Sequence, residues 1–358
     1  MQKIRFPYGK GYIESEIPEE RLNAVLVPQL HHYKTELSQE EIVKKDVEKP
    51  IGTPALSEMA KGKNKVAIIA SDHTRPVPSR IIMPLILSEI RKGNPDADIT
   101  ILISTGCHRG TTAAELEVKF GQEIAAKEKI HVHDCDDKSM LVNIGMLPSG
   151  GELILNKIAV EADLLVSEGF IEPHFFAGFS GGRKSILPGI AGRKTVMYNH
   201  NSRFINDEKS RTGVLEGNPI HRDMIYAARA AGLDFIVNVI INSDKEVIYA
   251  VAGDCELAHM EGCRFLKNQC RVDSAMSDIV ISTNGGYPLD QNIYQAVKGM
   301  TAAEATVNEG GVIIMAAKSD DGHGGEEFFR TFKEEKNINK LMDRFMAAPR
   351  EETIPDQW

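Results

Sequence analysis

The chain has 358 residues, of which 42% are hydrophobic and 26% are charged, a composition typical of globular proteins large enough for two buried cores. Its net charge of -9 argues against a nucleic-acid or anionic-membrane binder, because affinity for phosphates requires a basic face. Five cysteines without a CxxC pair favour neither a disulfide framework nor a zinc knuckle, and no segment resembles a signal peptide or a membrane span, so we expect a cytoplasmic protein.

Apolar, β-branched runs alternate with helical patterns along the chain, which is typical of βαβ units around a mostly parallel sheet. The predicted strands cover residues 65–70, 99–104, 163–167, 235–241, 278–282 and 311–316. The predicted helices cover residues 79–92, 112–120, 221–231, 256–268 and 291–304. A polar connector over 271–277 precedes a new strand and divides the chain into residues 1–271 and 272–358. We therefore predict an α/β protein of two domains, each with a mostly parallel sheet flanked by helices.

Polar residues follow the predicted strands directly. Asp72 and Arg75 follow the first strand, His108 follows the second, and His174 comes soon after the third. A glycine loop at 284–286 follows the strand over 278–282. Because ligands of doubly wound sheets bind beyond the carboxyl ends of the strands, we expect these loops to converge on one cleft between the domains.

The chemistry of these side chains allows a functional and a structural interpretation. His108 and His174 could act as general acid and base near neutral pH, or could satisfy local hydrogen bonds. Arg75, in a loop stiffened by Pro76, could bind a carboxylate as a bidentate fork or form a surface ion pair. These alternatives stay open on composition and spacing alone.

The segment over 174–185 has the composition of a phosphate cradle. Gly181 and Gly182 allow close approach of backbone amides, Ser180 adds a hydroxyl donor, and Arg183 and Lys184 add positive charge. The segment is not a Walker loop, because arginine rather than glycine precedes the lysine. A lysine able to bond covalently to a cofactor, followed by the potential metal ligand His200, indicates an unusual phosphorylated prosthetic group.

The predicted helix over 291–304 has two different faces. The side chains expected to pack inward are Ile293, Ala296, Val297 and Met300. The polar side chains on the opposite face are Gln291, Tyr294, Gln295 and Lys298. Such a polar face is ordinarily solvated, but the glycine loop before it would aim the start of this helix at the cleft.

Several blocks, in the same order along the whole chain, resemble the nickel-pincer lactate racemases. The matching blocks are Ser-Asp-His-Thr-Arg-Pro at 71–76, Gly-Cys-His-Arg at 106–109, residues 174–184, His200, residues 284–292 and Pro-Asp-Gln-Trp at 355–358. The resemblance implies interconversion of L- and D-lactate by hydride transfer to and from a cofactor, through transient pyruvate. The implied cofactor is a pyridinium thioamide/thiocarboxylate mononucleotide that holds nickel and requires dedicated biosynthesis enzymes.

The resemblance also implies roles for individual residues. Lys184 would tether the cofactor and His200 would ligate nickel, while His108 and His174 would exchange the hydroxyl proton on the two faces of the substrate. Further cofactor contacts are implied for Asp72, Ser180, Gly181 and Gly182. Substrate contacts are implied for Arg75, Tyr294, Gln295, Lys298 and Trp358. Family members continue beyond the matching tryptophan, so we expect the domain over 272–358 to be incomplete at its C-terminal end.

Three other functions remain compatible with these residues. One is a racemase or epimerase of another 2-hydroxy acid, such as malate, with the same cofactor. A second is a pyridoxal-phosphate enzyme with a Schiff base at Lys184. A third is a non-catalytic protein that binds a phosphorylated metabolite through the glycine segment alone, which would not need His108, His174 and His200.

Overall fold

The computed structural model describes residues 1–350 of the chain. The strands are β1 (Gln2–Tyr8), β2 (Gly11–Ile17), β3 (Lys65–Ser71), β4 (Asp98–Ser104), β5 (Lys129–Val132), β6 (Leu141–Met146), β7 (Glu152–Asn156), β8 (Leu164–Phe170), β9 (Pro173–His174), β10 (Gly178–Phe179), β11 (Leu233–Ile241), β12 (Val247–Gly253), β13 (Ser277–Thr283) and β14 (Val307–Ala316). The helices are α1 (Gln39–Glu48), α2 (Leu56–Met59), α3 (Ser79–Gly93), α4 (Ala113–Phe120), α5 (Gln122–Lys127), α6 (Lys157–Val160), α7 (Arg193–Asn199), α8 (Ser202–Ile205), α9 (Pro219–Ala230), α10 (Leu257–Cys270), α11 (Ile293–Glu304), α12 (Glu326–Glu334) and α13 (Ile338–Ala347). Short 3-10 turns cover Glu19–Arg21, Gln29–His32 and Gly182–Ser185.

A six-stranded sheet forms the centre of the molecule and confirms the predicted α/β class. The strand order is β12-β11-β8-β3-β4-β5, and all neighbours are parallel except β11 and β12. The order along the chain reverses between the adjacent strands β3 and β8. Doubly wound sheets open a crevice beyond the carboxyl ends of the strands at such a reversal. Here those ends are Ser71 and Phe170.

Both faces of this sheet are covered, which explains the continuous apolar runs of its central strands. One face packs Ile69, Leu102 and Leu165 into a core that includes residues of α7, α9 and α10. The other face packs Ile68 and Val166 into a second core that includes residues of α1 and α3. The sheet is therefore a rigid platform, and its carboxyl edge is where loops are free to carry polar side chains.

A smaller unit contains the parallel strands β13 and β14 together with α11. The antiparallel β1–β2 hairpin packs against this unit, although it lies at the other end of the chain. The amide of Gly9 donates to Asp290 Oδ2 at 2.7 Å, and the amide of Tyr287 donates to the Gly9 carbonyl at 2.8 Å. Asn23 Nδ2 also donates to the Met276 carbonyl at 3.1 Å. The start of the chain thus supports the loop that precedes α11.

All the strands and helices predicted above are present, with ends shifted by a few residues. The orientation predicted for α11 is wrong in part, because Ile293 and Met300 are 48% and 40% exposed while Gln295 is 4% exposed. The small residues Ala296 and Gly299 pack inward instead, and the polar face turns toward the cleft. Within residues 1–350, no helix is both long and apolar enough to cross a membrane.

Candidate active site

A cavity of about 640 Å³ lies between the carboxyl edge of the central sheet and α11. Cavities of this size typically hold ligands much larger than a three-carbon acid. The predicted site residues that line the cavity are Asp72, Arg75, His108, His174, Ser180, Gly181, Gly182, Lys184, His200, Tyr294, Gln295 and Lys298. The remaining predicted site residue, Trp358, lies outside the described residues. The two domains therefore both contribute walls to a single cleft.

Asp72 and His108 form a hydrogen-bonded pair on the loops after β3 and β4. Asp72 Oδ2 lies 2.7 Å from His108 Nδ1, while Oδ1 accepts from the amide and hydroxyl of Thr74 at 3.1 and 2.6 Å. Burial alone would raise the pKa of Asp72, but His108, Arg75 and Thr74 together hold it well below its usual range. The carboxylate thereby keeps a proton on Nδ1 and leaves Nε2 as the proton acceptor of the ring. These contacts favour a role in orienting His108 over the direct cofactor contact predicted for Asp72.

His174 is buried and has the opposite arrangement of hydrogen bonds. The amide of Ala177 donates to His174 Nδ1 at 3.3 Å, so the hydrogen bonds imply a neutral ring with its proton on Nε2. The ring lies edge-on to Phe176, with centroids 4.6 Å apart. Burial holds the pKa of His174 well below its usual value. His108 and His174 therefore offer complementary groups to the cavity, an acceptor on one ring and a donor on the other.

The glycine segment requires left-handed backbone at two consecutive positions. Gly181 has φ 75° and Gly182 has φ 52°, and a Cβ on either would lie 2.6 Å from Asn238 Oδ1 or 2.8 Å from the His259 ring. The amide of Gly182 donates to Asn238 Oδ1 at 2.7 Å. The Ser180 hydroxyl, predicted as a donor to a phosphate, instead donates to a main-chain carbonyl at 2.9 Å and accepts from a main-chain amide at 2.9 Å. The Ser180 hydroxyl therefore stabilises the loop instead of donating to a ligand.

Arg183 also differs from its predicted role as a charge that faces the cavity. Its guanidinium is completely buried and donates to the carbonyls of Ala177 and Phe179 at 2.7 and 2.8 Å. Its Nε donates to His221 Nδ1 at 3.1 Å. The buried side chain of Arg183 therefore stabilises the glycine segment through hydrogen bonds to its main chain. Its partners are main-chain atoms and two distant histidines, His221 and His259, which a local sequence pattern does not show.

Lys184 and His200 reach the cavity from opposite ends of the same segment. Burial, with the charge of Arg183 next, holds the pKa of Lys184 well below its usual value and so favours the uncharged amine. Burial lowers the pKa of His200 to about 3, which keeps the imidazole in the neutral form that ligates metals. Among residues 1–350, the one cluster of three potential metal ligands is Asp134, Cys135 and Asp136, which does not include His200. An ion at His200 would therefore need ligands from a bound cofactor.

The polar face of α11 places the positively charged side chain of Lys298 in the wall of the cavity. Lys298 Nζ donates to Gln295 Oε1 at 2.7 Å. The main-chain amide of Gln295 donates to Oδ1 of Asn292, the N-cap residue of α11, at 2.9 Å. Burial and then the charge of Arg75 lower the pKa of Lys298 to about 7. Two neighbouring cations of this kind suit the carboxylate of a small acid.

Two parts of the cavity wall were not predicted from the sequence. Glu168 lies near the end of β8, where an acid within an otherwise apolar buried strand is a signal that could have revealed it. The segment over 321–328 lines the cavity from the second domain. It is a glycine-rich loop leading into a helix, and no periodic pattern marks it as a site.

Comparison with known proteins gives consistent similarities over the whole chain. The family model for the lactate racemase N-terminal domain matches residues 8–213, and that for the C-terminal domain matches residues 272–358. Curated lactate racemases from Thermoanaerobacterium thermosaccharolyticum and Lactiplantibacillus plantarum are 56% and 54% identical to this chain. Each alignment covers 100% of this chain and 84% of the relative.

Two solved structures are also similar. The lactate racemase apoprotein from T. thermosaccharolyticum has a TM-score of 0.94 and 55% identity, covering 100% of this chain and 84% of that chain. A Thermotoga maritima protein has a TM-score of 0.67 at 19% identity, covering 89% of this chain and 82% of that chain. The second similarity supports the fold alone.

Proposed function

This chain belongs to the lactate racemase family, and we propose that it interconverts L- and D-lactate with a lysine-tethered nickel-pincer mononucleotide. Racemases are isomerases, so the protein is an enzyme of that class. The observation that carries the proposal is a single cavity in which two histidines, an arginine, two lysines and a potential metal ligand meet. A pyridoxal-phosphate enzyme would need Lys184 but would leave the nickel ligand His200 without a role.

The residues present fit such a cofactor. The cavity has room for a mononucleotide beside a small acid. Lys184 would hold the cofactor covalently, and the neutral imidazole of His200 is a ligand that nickel accepts. When bound, the pyridinium ring supplies an acceptor and donor of hydride for the substrate Cα, with pyruvate as the transient product.

The side chains of the protein provide proton transfer and orientation. His108, through Nε2, would accept the hydroxyl proton on one face of the substrate, and His174 would exchange a proton on the other. Arg75 and Lys298 would bind the carboxylate, with Tyr294 and Gln295 shaping its seat. The buried setting of these groups would exclude water from the reacting atoms.

Expression with and without the cofactor-biosynthesis enzymes tests this proposal. We expect lactate racemisation only from the co-expressed protein, with nickel and a covalent adduct detected by metal analysis and denaturing mass spectrometry. Lys184→Ala should lose the adduct, whereas His200→Ala should keep the organic adduct and lose nickel. Racemisation by protein made without those enzymes would refute the cofactor, and full nickel content in His200→Ala would reassign the metal ligand.

Three finer features belong to the same proposal. The preferred acid is lactate rather than malate, which chiral assays of both acids at equal concentration would decide. The domain boundary lies between residues 271 and 272, where the match to the C-terminal family model begins. The setting is the cytoplasm, with which the five free cysteines are compatible.

A further inference from the structure

We propose that Glu168 binds a sugar hydroxyl of the ligand in this cavity, namely a ribose hydroxyl of the mononucleotide. The inference rests on the proposed function and adds a binding residue that the sequence resemblance does not imply. Glu168 is 3% exposed, yet it contributes to the wall of the cavity. Its position, two residues before the end of β8, places it at the reversal in strand order where ligands of doubly wound sheets bind.

Only one carboxylate oxygen of Glu168 is used within the protein. Oε1 accepts from the hydroxyl of Ser79, at the start of α3, at 2.5 Å. Oε2 is buried and has no hydrogen-bond partner among the described residues. Leaving a buried charged acceptor unpaired costs at least as much free energy as leaving a neutral one, so such atoms in functional sites commonly meet a ligand.

The surroundings of Glu168 indicate what kind of ligand group would meet Oε2. The cation whose charge acts on Glu168 is Lys119, a buried residue that donates to Ser71 Oγ at 2.9 Å. Its charge favours the ionised carboxylate and opposes the effect of burial, which raises the pKa of Glu168. A ribose hydroxyl both donates and accepts, so it can pair with Oε2 in either protonation state of the carboxyl. A phosphate is an acceptor and could pair only with the protonated form.

A metal ion is a poorer occupant of this position. A cation needs several oxygen, nitrogen or sulfur ligands. Within residues 1–350, Glu168 belongs to no cluster of three potential ligands. The hydroxyls of a ribose need only one acceptor each, and an acid near the end of a parallel strand binds ribose in the same way in other doubly wound folds.

Paired nucleotide probes and variants test this assignment without relying on racemase activity. Binding of nicotinate mononucleotide and of its 2′,3′-dideoxy analogue to the purified apoprotein is measured by calorimetry. Wild-type protein should prefer the ribose form by about 10- to 100-fold, the range expected for hydrogen bonds to a charged group. Glu168→Met, which keeps the length of the side chain and removes its polar atoms, should reduce this preference to about twofold or less. Glu168→Gln, with one acceptor retained, should be intermediate.

Glu123→Gln is the matched control, because it removes the same charge from an exposed side chain on α5 that does not line the cavity. It should keep the wild-type preference, and thermal unfolding of each variant shows that the fold is retained. An equal affinity of wild-type protein for the two probes would overturn the assignment, as would a wild-type preference in Glu168→Met. Failure of wild-type protein to bind either nucleotide would contradict the mononucleotide cofactor itself, and this inference with it.

Discussion

At the scale of a single residue, the proposed binding of the substrate carboxylate by Lys298 would link substrate binding to pH. With a pKa of about 7, Lys298 is an ammonium below that pH and a neutral amine above it. Since kcat/KM reports the ionisation of the free enzyme, we expect kcat/KM for lactate to fall as the pH rises through about 7. Arginine stays protonated throughout this range, so Lys298→Arg should lack the alkaline fall even if its activity is lower. Overlapping pH profiles of the two proteins would show that Lys298 is not the titrating group.

Asp72 offers a second test, because its contacts indicate a role in orienting His108. Asp72→Asn keeps the shape of the side chain but loses the charge that fixes the proton on His108 Nδ1. We expect kcat to fall about 10- to 100-fold, the effect typical of removing such a supporting carboxylate. Nickel content and adduct mass should stay at wild-type levels. A loss of cofactor instead of kcat would return Asp72 to the cofactor site.

The control for that variant is Asp136→Asn, which breaks an exposed ion pair with Arg193. Exposed pairs contribute little, so its kcat should match wild type.

The sequence could predict many residues that line the cavity, because His108, His174 and Arg75 follow strands whose apolar runs are easy to recognise. It could not predict the inward roles of Ser180 and Arg183. Their hydrogen bonds reach main-chain carbonyls that only the folded loop brings close. Composition placed Ser180 and Arg183 in a phosphate site, whereas the structure shows both side chains hydrogen-bonded within the loop.

At the scale of elements, the close packing of α11 on β13 and β14 positions the substrate-binding side chains. A Cβ at Gly299 would lie 2.5 Å from the carbonyl oxygen of Thr283 and 2.5 Å from Met315 Cε. Gly299→Ala should therefore push the helix outward and destabilise the protein by about 1–3 kcal/mol, as overpacking commonly does. Because Lys298 moves with the helix, KM for lactate should also rise.

Thermal unfolding and steady-state kinetics measure the two effects together. Gly11→Ala is the control, since nothing lies within 4 Å of a Cβ at that position. If Gly299→Ala left both stability and KM unchanged, the helix would not depend on this contact.

Helical periodicity predicted where α11 lies but not which face is buried. The pattern placed Ile293 and Met300 inside because they are large and apolar. In the structure the buried residues of the helix are Gln295, Ala296, Gly299 and Ala303, and Gly299 packs too closely on the sheet to admit a larger side chain; of the residues predicted to face inward, Ala296 is buried. This close packing is a tertiary property and has no signature in the helix itself.

At the scale of the whole molecule, the β1–β2 hairpin and the C-terminal unit depend on each other. Asp290 is 1% exposed, and its Oδ2 accepts from the amides of Gly9 and Lys318. Deleting residues 1–17 should remove one of the two donors to this buried carboxylate and increase hydrogen exchange in β13 and α11, while β3 and β4 stay protected. An equal increase in all four elements would instead indicate that the hairpin stabilises the molecule as a whole.

The central sheet could be predicted from sequence because its strands are buried on both faces and therefore continuously apolar. The hairpin was missed because β1 and β2 are mostly exposed, with polar and apolar residues mixed. Its attachment to the C-terminal unit depends on residues that are far apart in sequence, and no local pattern reports such a pairing.

This attachment has a consequence for synthesis on the ribosome. Gly9 leaves the ribosome first, but its partner Asp290 follows 281 residues later. At the usual rates of translation, that interval is roughly 15–55 s. An isolated two-stranded hairpin is marginally stable in water, so β1 and β2 remain open while the central sheet is completed behind them. The hairpin is thus made before the central sheet but completed after it, and during that delay its unpaired strand edges are available to chaperones or to neighbouring nascent chains.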